Sequence, residues 1–137
     1  MKKVILIGVL VLGAIGAITA YLVYNKPHKN MEKAAADIAL EAETLFTAYK
    51  TDEQAADAQY LDKVVQVSGT VKGVSQEGGK TSVTLDSGDQ MSGVVCELDE
   101  LTKHPRTDFQ VGEQVTFKGM CTGFLLDVVL VRCVEVQ

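Results

Sequence analysis

The side chains with the greatest chemical capacity in this 137-residue chain are three cysteines, Cys96, Cys121 and Cys133, and two histidines, His28 and His104. A thiolate attacks electrophiles or binds soft metals, and an imidazole moves protons or ligates metal, when partners stand at a suitable spacing. That spacing is missing. No Cys-x-x-Cys, Gly-x-Ser-x-Gly or phosphate-binding Gly-rich loop occurs, and neither histidine belongs to a paired His/Cys ligand pattern. The carboxylates scatter over turns and alternate strand positions, as on a solvated acidic surface. Gly78, Gly79 and Gly88 fall in turns, where positive φ explains them. The expectation is therefore a chain with no catalytic residue, no metal site and no cofactor, and with exposed, non-catalytic histidines.

The elements that position these residues begin with an apolar run. Val4–Asn25 holds 22 residues without a charge. As a helix it would span about 33 Å, enough for a hydrocarbon core of about 30 Å. Tyr21 and Tyr24 sit near one end, where amphipathic rings favour the interface, and Lys2 and Lys3 flank the other. A cleaved signal peptide is the rival interpretation, but Ala17-Ile18-Thr19 and Ile18-Thr19-Ala20 fit a cleavage site poorly, and no cysteine precedes Cys96 to carry a lipid. Residues 1–25 are expected to be a transmembrane anchor, with the membrane contacted through residues 4–25. Charge divides along the chain. Residues 1–33 carry five lysines against Glu32, a net of +4, and residues 34–137 carry eight Lys/Arg against seventeen Asp/Glu, a net of −9. The lysines flanking the run nearly balance. A start preceded by two lysines usually stays in the cytoplasm, so the acidic part is expected on the extracytoplasmic, periplasmic side of the cell membrane.

Residues 26–37 are polar and contain Pro27, the pattern of a juxtamembrane linker. Ile38, Ala42, Leu45, Phe46 and Tyr49 recur at helical spacing, and Thr51 with Gln54 forms a capping box for a second short helix ending near Tyr60. Residues 38–60 thus predict two short helices packed on the remainder. From Leu61 the period becomes two. Val65, Val67, Gly69 and Val71 alternate with polar residues, then Thr81, Val83 and Leu85, then Val94, Cys96 and Leu98, then Val115, Phe117, Gly119 and Cys121; Asp127 to Val136 closes the series. Asp99 to Asp108 reads as a polar connection and Thr122 to Leu126 as a short loop. Five strands with the longest connection between the third and fourth predict a mainly β fold over residues 61–137, a five-stranded Greek-key barrel of the OB type. An open five-stranded sheet with helices on one face fits the same pattern.

Certain stretches carry a resemblance. Tyr24-Asn25-Lys26-Pro27-His28, Leu45-Phe46-x-Ala48-Tyr49 and Tyr60-Leu61-Asp62-Lys63-Val64-Val65-Gln66-Val67-Ser68-Gly69 resemble a bacterial family of tRNA-anticodon-binding-like OB-fold proteins. Val111-Gly112-x-x-Val115-x-Phe117-x-Gly119-x-Cys121-Thr122-Gly123-Phe124-Leu125-x-Asp127-Val128-Val129-Leu130-x-x-Cys133 is similar to the same family. The resemblance implies a small anchored protein and no particular activity, because a fold does not fix a function.

In an OB barrel the third and fifth strands run parallel and adjacent, which makes Cys96 and Cys133 candidate neighbours for a disulfide. With Cys121 opposite Asp127, Cys133 lies six residues further along, about 20 Å, too far from Cys121 to pair. Three small buried apolar side chains explain the cysteines equally well. OB domains that bind single strands use basic grooves and aromatic platforms on the second and third strands. Here those strands expose Lys80, Ser82, Thr84, Asp86, Ser92, Val95 and Glu97, with no aromatic and no arginine, and the chain has no Trp. Phe117 points inward by alternation, and Phe124 either is exposed or folds over the barrel end. The function expected is a non-catalytic, membrane-tethered binding module of the cell envelope, taking a protein or a small polar ligand. Single-stranded nucleic-acid binding is the alternative, disfavoured by the acidic charge.

Overall fold

The computed structural model describes residues 1–24, 30–100 and 102–136. Pro27, His28 and the first part of the expected linker lie outside the described residues. Helix α1 (Lys2–Tyr24) is exposed along its whole length, with a mean hydropathy of 2.5 over an 18-residue window. By length and composition it fits a membrane span or a signal sequence.

The second part of the expected linker is docked on the barrel. Met31 is fully buried against Val64 and Val134. Asp37 binds the start of the first barrel strand twice, its N–H donating to Val64 O at 2.8 Å and its Oδ2 accepting from Val64 N at 2.9 Å. This pairing overturns the helix expected from Ile38. Residues Ile38–Glu41 form strand β1, parallel to the start of β2 (Val64–Glu77), with Ile38 opposite Val65 and Leu40 opposite Val67. Over four residues the alternation of Ile38 and Leu40 with Ala39 and Glu41 is a period of two, and the strand partner decides between the periods.

Helix α2 (Ala42–Thr51) follows directly. It buries Ala42, Leu45, Phe46 and Tyr49, one face at spacings of three and four. Helix α3 (Glu53–Tyr60) is capped by Asp52, whose side chain accepts from Ala55 N at 3.1 Å. The cap is one residue later than expected, because the Thr51 hydroxyl is turned back onto Thr47 O at 2.7 Å.

The remaining strands are β3 (Lys80–Asp86), β4 (Gly93–Leu98), β5 (Gln114–Phe124) and β6 (Val128–Glu135). The order is β1-β2-β3-β4-β6-β5, and β2 also pairs with β5, closing a five-stranded barrel with β1 appended. Closure removes the open-sheet alternative. Strands β4 and β6 run parallel. A register shift between Val71 and Gly73 marks where β2 turns from β5 toward β3. At Gly69 an added Cβ would stand 3.1 Å from Ala42 Cβ, so the glycine lets α2 lie close against the barrel.

The long connection from β4 to β5 has no helix among its described residues, and it supplies a core side chain. Phe109 is buried edge-on to Phe117, with ring centroids 5.2 Å apart. Arg106 lies over the Phe109 ring and donates two hydrogen bonds to Glu135, at 3.1 and 2.7 Å, while pairing with Glu113. The β5–β6 loop is shorter than expected. Phe124 pairs with Val128, and Cys121 stands opposite Leu130 rather than Asp127.

Candidate functional site

Two surfaces of this barrel are candidates for binding. The first is the outward face of β2, β3 and β4. Ser75 pairs with Ser82, Ser82 with Glu97, and Thr84 with Val95. These side chains are short, polar or aliphatic, so the face has no ring for a base to stack on. Its one inner lysine is already engaged. The Lys72 ammonium donates to Asp89 O at 2.6 Å, Gln90 O at 3.1 Å and Ser92 O at 3.2 Å, holding the β3–β4 loop. Asp89 fastens the same loop. Its Oδ2 accepts from Lys50 Nζ at 3.0 Å, and its Oδ1 accepts from Met91 N and Ser92 N. Those bonds hold the carboxyl down to about 2, the lysine being the main cause.

The second surface is the barrel end under the helices. Tyr49 stacks on Phe124 at 5.9 Å, Phe46 meets Phe124 edge-on at 5.9 Å, and Tyr60 lies 6.1 Å from Tyr49. Phe124 therefore folds over the barrel end and is half-buried. The Tyr49 hydroxyl shares a hydrogen bond of 3.3 Å with Cys121 Sγ. Burial, then the contacts with Cys121 and Asp57, push the phenol far above its usual range. Burial likewise raises the Cys121 thiol. Asp57 Oδ1 is buried with no hydrogen-bond partner among the described residues. Beside this cluster opens a cleft of about 380 Å³, lined by Glu53, Asp57, Leu61, Gly123, Phe124 and Leu125 among others. Leu125 and Leu126 form the tip of the β5–β6 hairpin and are 90% and 78% exposed. Glu53 and Asp57 line the cleft, and the Asp62 N–H donates to Cys121 O at 2.9 Å beside it.

All three cysteines are buried and free in this structure. Cys121 belongs to Tyr49, while Cys133 Sγ donates to Leu130 O at 3.4 Å, Leu130 being the residue opposite Cys96 in the parallel β4–β6 pair. His104 is half-buried, its Nε2 bonded to Asp99 O at 2.6 Å. No group of three or more His, Cys, Asp or Glu side chains converges on one point among the described residues.

The chain matches the tRNA_anti-like family over residues 1–135. It belongs to that family. The fold of this tRNA_anti-like protein is similar to that of a Klebsiella pneumoniae lipoprotein provisionally named as nucleic acid-binding. The TM-score is 0.57 with 15% sequence identity, covering 74% of this chain and 92% of the other. At that identity the likeness establishes the fold. Among curated proteins none matches this chain.

Within the tRNA_anti-like barrel, sequence reasoning missed the Tyr49–Cys121–Asp57 cluster. Tyr49 sits at core spacing on α2, and nothing in the sequence tells that its hydroxyl meets a β5 thiol 72 residues later. The exposed pair Leu125-Leu126 was the readable signal. Two adjacent leucines at a hairpin tip cannot both face the core.

Proposed function

We propose that this tRNA_anti-like protein is a non-catalytic binding module tethered to the cell membrane by α1. The barrel lies on the extracytoplasmic side and takes a protein partner at the Leu125–Leu126 tip. The observation that carries this is the contrast between the two surfaces. The β2–β4 face lacks stacking rings, and its lysines are paired, Lys72 with loop carbonyls and Lys80 with Glu100 at 3.6 Å, whereas the hairpin tip offers apolar area beside a cleft lined by Glu53 and Asp57. Charge complementarity favours a partner segment with apolar residues among basic ones. A net of −9 on residues 34–137 works against a phosphate backbone. The second reading, single-stranded nucleic-acid binding, is favoured by the name of the Klebsiella protein.

The test is site-specific photocrosslinking in cells with the crosslinker at Leu125 or, as a control, at Lys80, read by mass spectrometry. Discrete protein adducts from position 125, absent from position 80 and lost in a Leu126→Glu background, are expected. Equal adducts from both positions would refute the docking tip. Purified full-length protein in detergent should not bind oligonucleotides at about 0.15 M salt. Micromolar binding there refutes the proposal in favour of the second reading. A reporter fused after Gln137 should be active only outside the cytoplasm.

A further inference from the structure

Cys133 occupies a position that two unusual features create. Along β6, Leu130 pairs with Cys96, yet Cys133 pairs with Leu98, so β6 spends one residue more than β4 between the two pairings. The extra residue is absorbed at Arg132, whose φ of 54° is left-handed and unfavourable for a side chain with a Cβ. As a result Cys133 is turned into the core, fully buried, on the same side as Cys96. The second feature lies across the barrel wall. Cys133 Sγ rests against Gly119 of β5, where any Cβ would overlap it. A left-handed arginine and a missing side chain thus combine to turn the Cys133 thiol inward, where it donates to the carbonyl of Leu130, the residue opposite Cys96 on the adjacent parallel strand.

We infer that Cys96 and Cys133 form a structural disulfide that joins β4 to β6, with Cys121 left as a free thiol bonded to Tyr49. This inference rests on the proposal that the barrel faces an oxidising compartment. Two S–H bonds break and one S–S bond forms. The two electrons and two protons pass to the disulfide of a thiol–disulfide oxidoreductase, which becomes a dithiol. Both sulfurs have no solvent exposure in the folded barrel, so the bond forms while the chain folds and then resists reduction. It closes the loop that contains the whole irregular connection between β4 and β5.

Two measurements test the pair and keep it distinct from the question of sidedness. In the first, purified full-length protein in detergent is reduced, unfolded in urea, refolded in a glutathione redox buffer and mapped by non-reducing peptide mass spectrometry. A single Cys96–Cys133 link is expected, and it should persist in Cys121→Ser. A link that includes Cys121, or no link, overturns the pair whatever the compartment. In the second, cells are lysed in denaturant with a maleimide polymer before and after reduction. One labelled thiol before reduction and three after are expected. Three before reduction with an extracytoplasmic reporter overturns the disulfide in the native protein. Three before reduction with a cytoplasmic reporter overturns the envelope proposal and the native pair with it.

Discussion

Replacing Gly119 with alanine tests the packing at the centre of the barrel wall. A Cβ there would overlap Cys133 Sγ and stand 2.9 Å from Val131 O. The carbonyl is part of the β5–β6 ladder and cannot move freely, and the thiol is enclosed on all sides. Overpacking a filled core by one methyl costs about 1–3 kcal/mol. For a barrel of this size each kcal/mol lowers the melting temperature by about 4–8 °C. Gly119→Ala should therefore melt at least about 5 °C lower than the parent, measured by circular dichroism on full-length protein in detergent with reductant present. Gly73→Ala is the control, because nothing lies within 4 Å of its added Cβ, and it should shift the melt by less than half as much. The cycle is completed with Cys133→Ala, which removes the overlapping sulfur. Neighbours that share a clash are not additive, so Gly119→Ala/Cys133→Ala should be at least about 1 kcal/mol more stable than the sum of the single changes. A neutral Gly119→Ala, or strict additivity, would refute the seating of Cys133 on Gly119.

Three further outcomes are expected. Because the Tyr49 phenol is raised by burial and by Cys121, the folded state holds its proton more tightly than the unfolded chain, so stability is full below about pH 10 and falls as the pH rises beyond it; Tyr49→Phe should flatten that alkaline limb in pH-dependent melts. Asp89, held down to about 2 chiefly by Lys50, stabilises its loop above the ordinary carboxylate range and loses that effect as the pH falls toward 2, so Asp89→Asn should speed hydrogen exchange at Met91 and Ser92 at neutral pH and remove its acid dependence. Arg106→Lys keeps the charge but loses the fork that grips Glu135 while pairing with Glu113, and should speed exchange in residues 102–113 without changing the barrel strands.

The strands were legible because a period of two persists over long runs. Val65, Val67, Gly69 and Val71 predict which side of β2 faces the core, and all four are buried. Elements decided by a partner were not. Ile38 and Leu40 belong to both a helical and a strand pattern, and only pairing with Val65 and Val67 resolves them. Phe109 directly follows the polar connection Asp99 to Asp108, and its contact with the Phe117 ring docks the end of that connection on the core. The register of Cys121 was misplaced because β5 continues through Phe124, whose ring packs on Tyr49 and Phe46 and makes the strand end later than its turn residues suggest. Of the candidate site, the cysteines and the bare β2–β4 face could be read directly. The Tyr49–Cys121 contact could not, since it joins a helix to a strand.

The Klebsiella neighbour is named for nucleic acid, but at 15% identity the likeness is one of fold, and the barrel carries no such requirement. Strand order and closure come from inward residues such as Val67, Leu85, Cys96 and Phe117. Binding depends on outward residues, which are free to differ once the core is filled. Here the outward β2–β4 face presents Ser75, Ser82, Thr84, Val95 and Glu97. Base stacking contributes about 1–3 kcal/mol per base where a ring is available, and on this face no ring is. A phosphate backbone would also meet an excess of nine negative charges over residues 34–137. Recruiting nucleic acid to this surface would require at least one aromatic and one unengaged cation, so a variant such as Thr84→Tyr/Glu97→Lys should gain weak, salt-sensitive oligonucleotide binding that the parent lacks. If the parent binds as well as that variant, the outward face is not where this barrel's specificity lies.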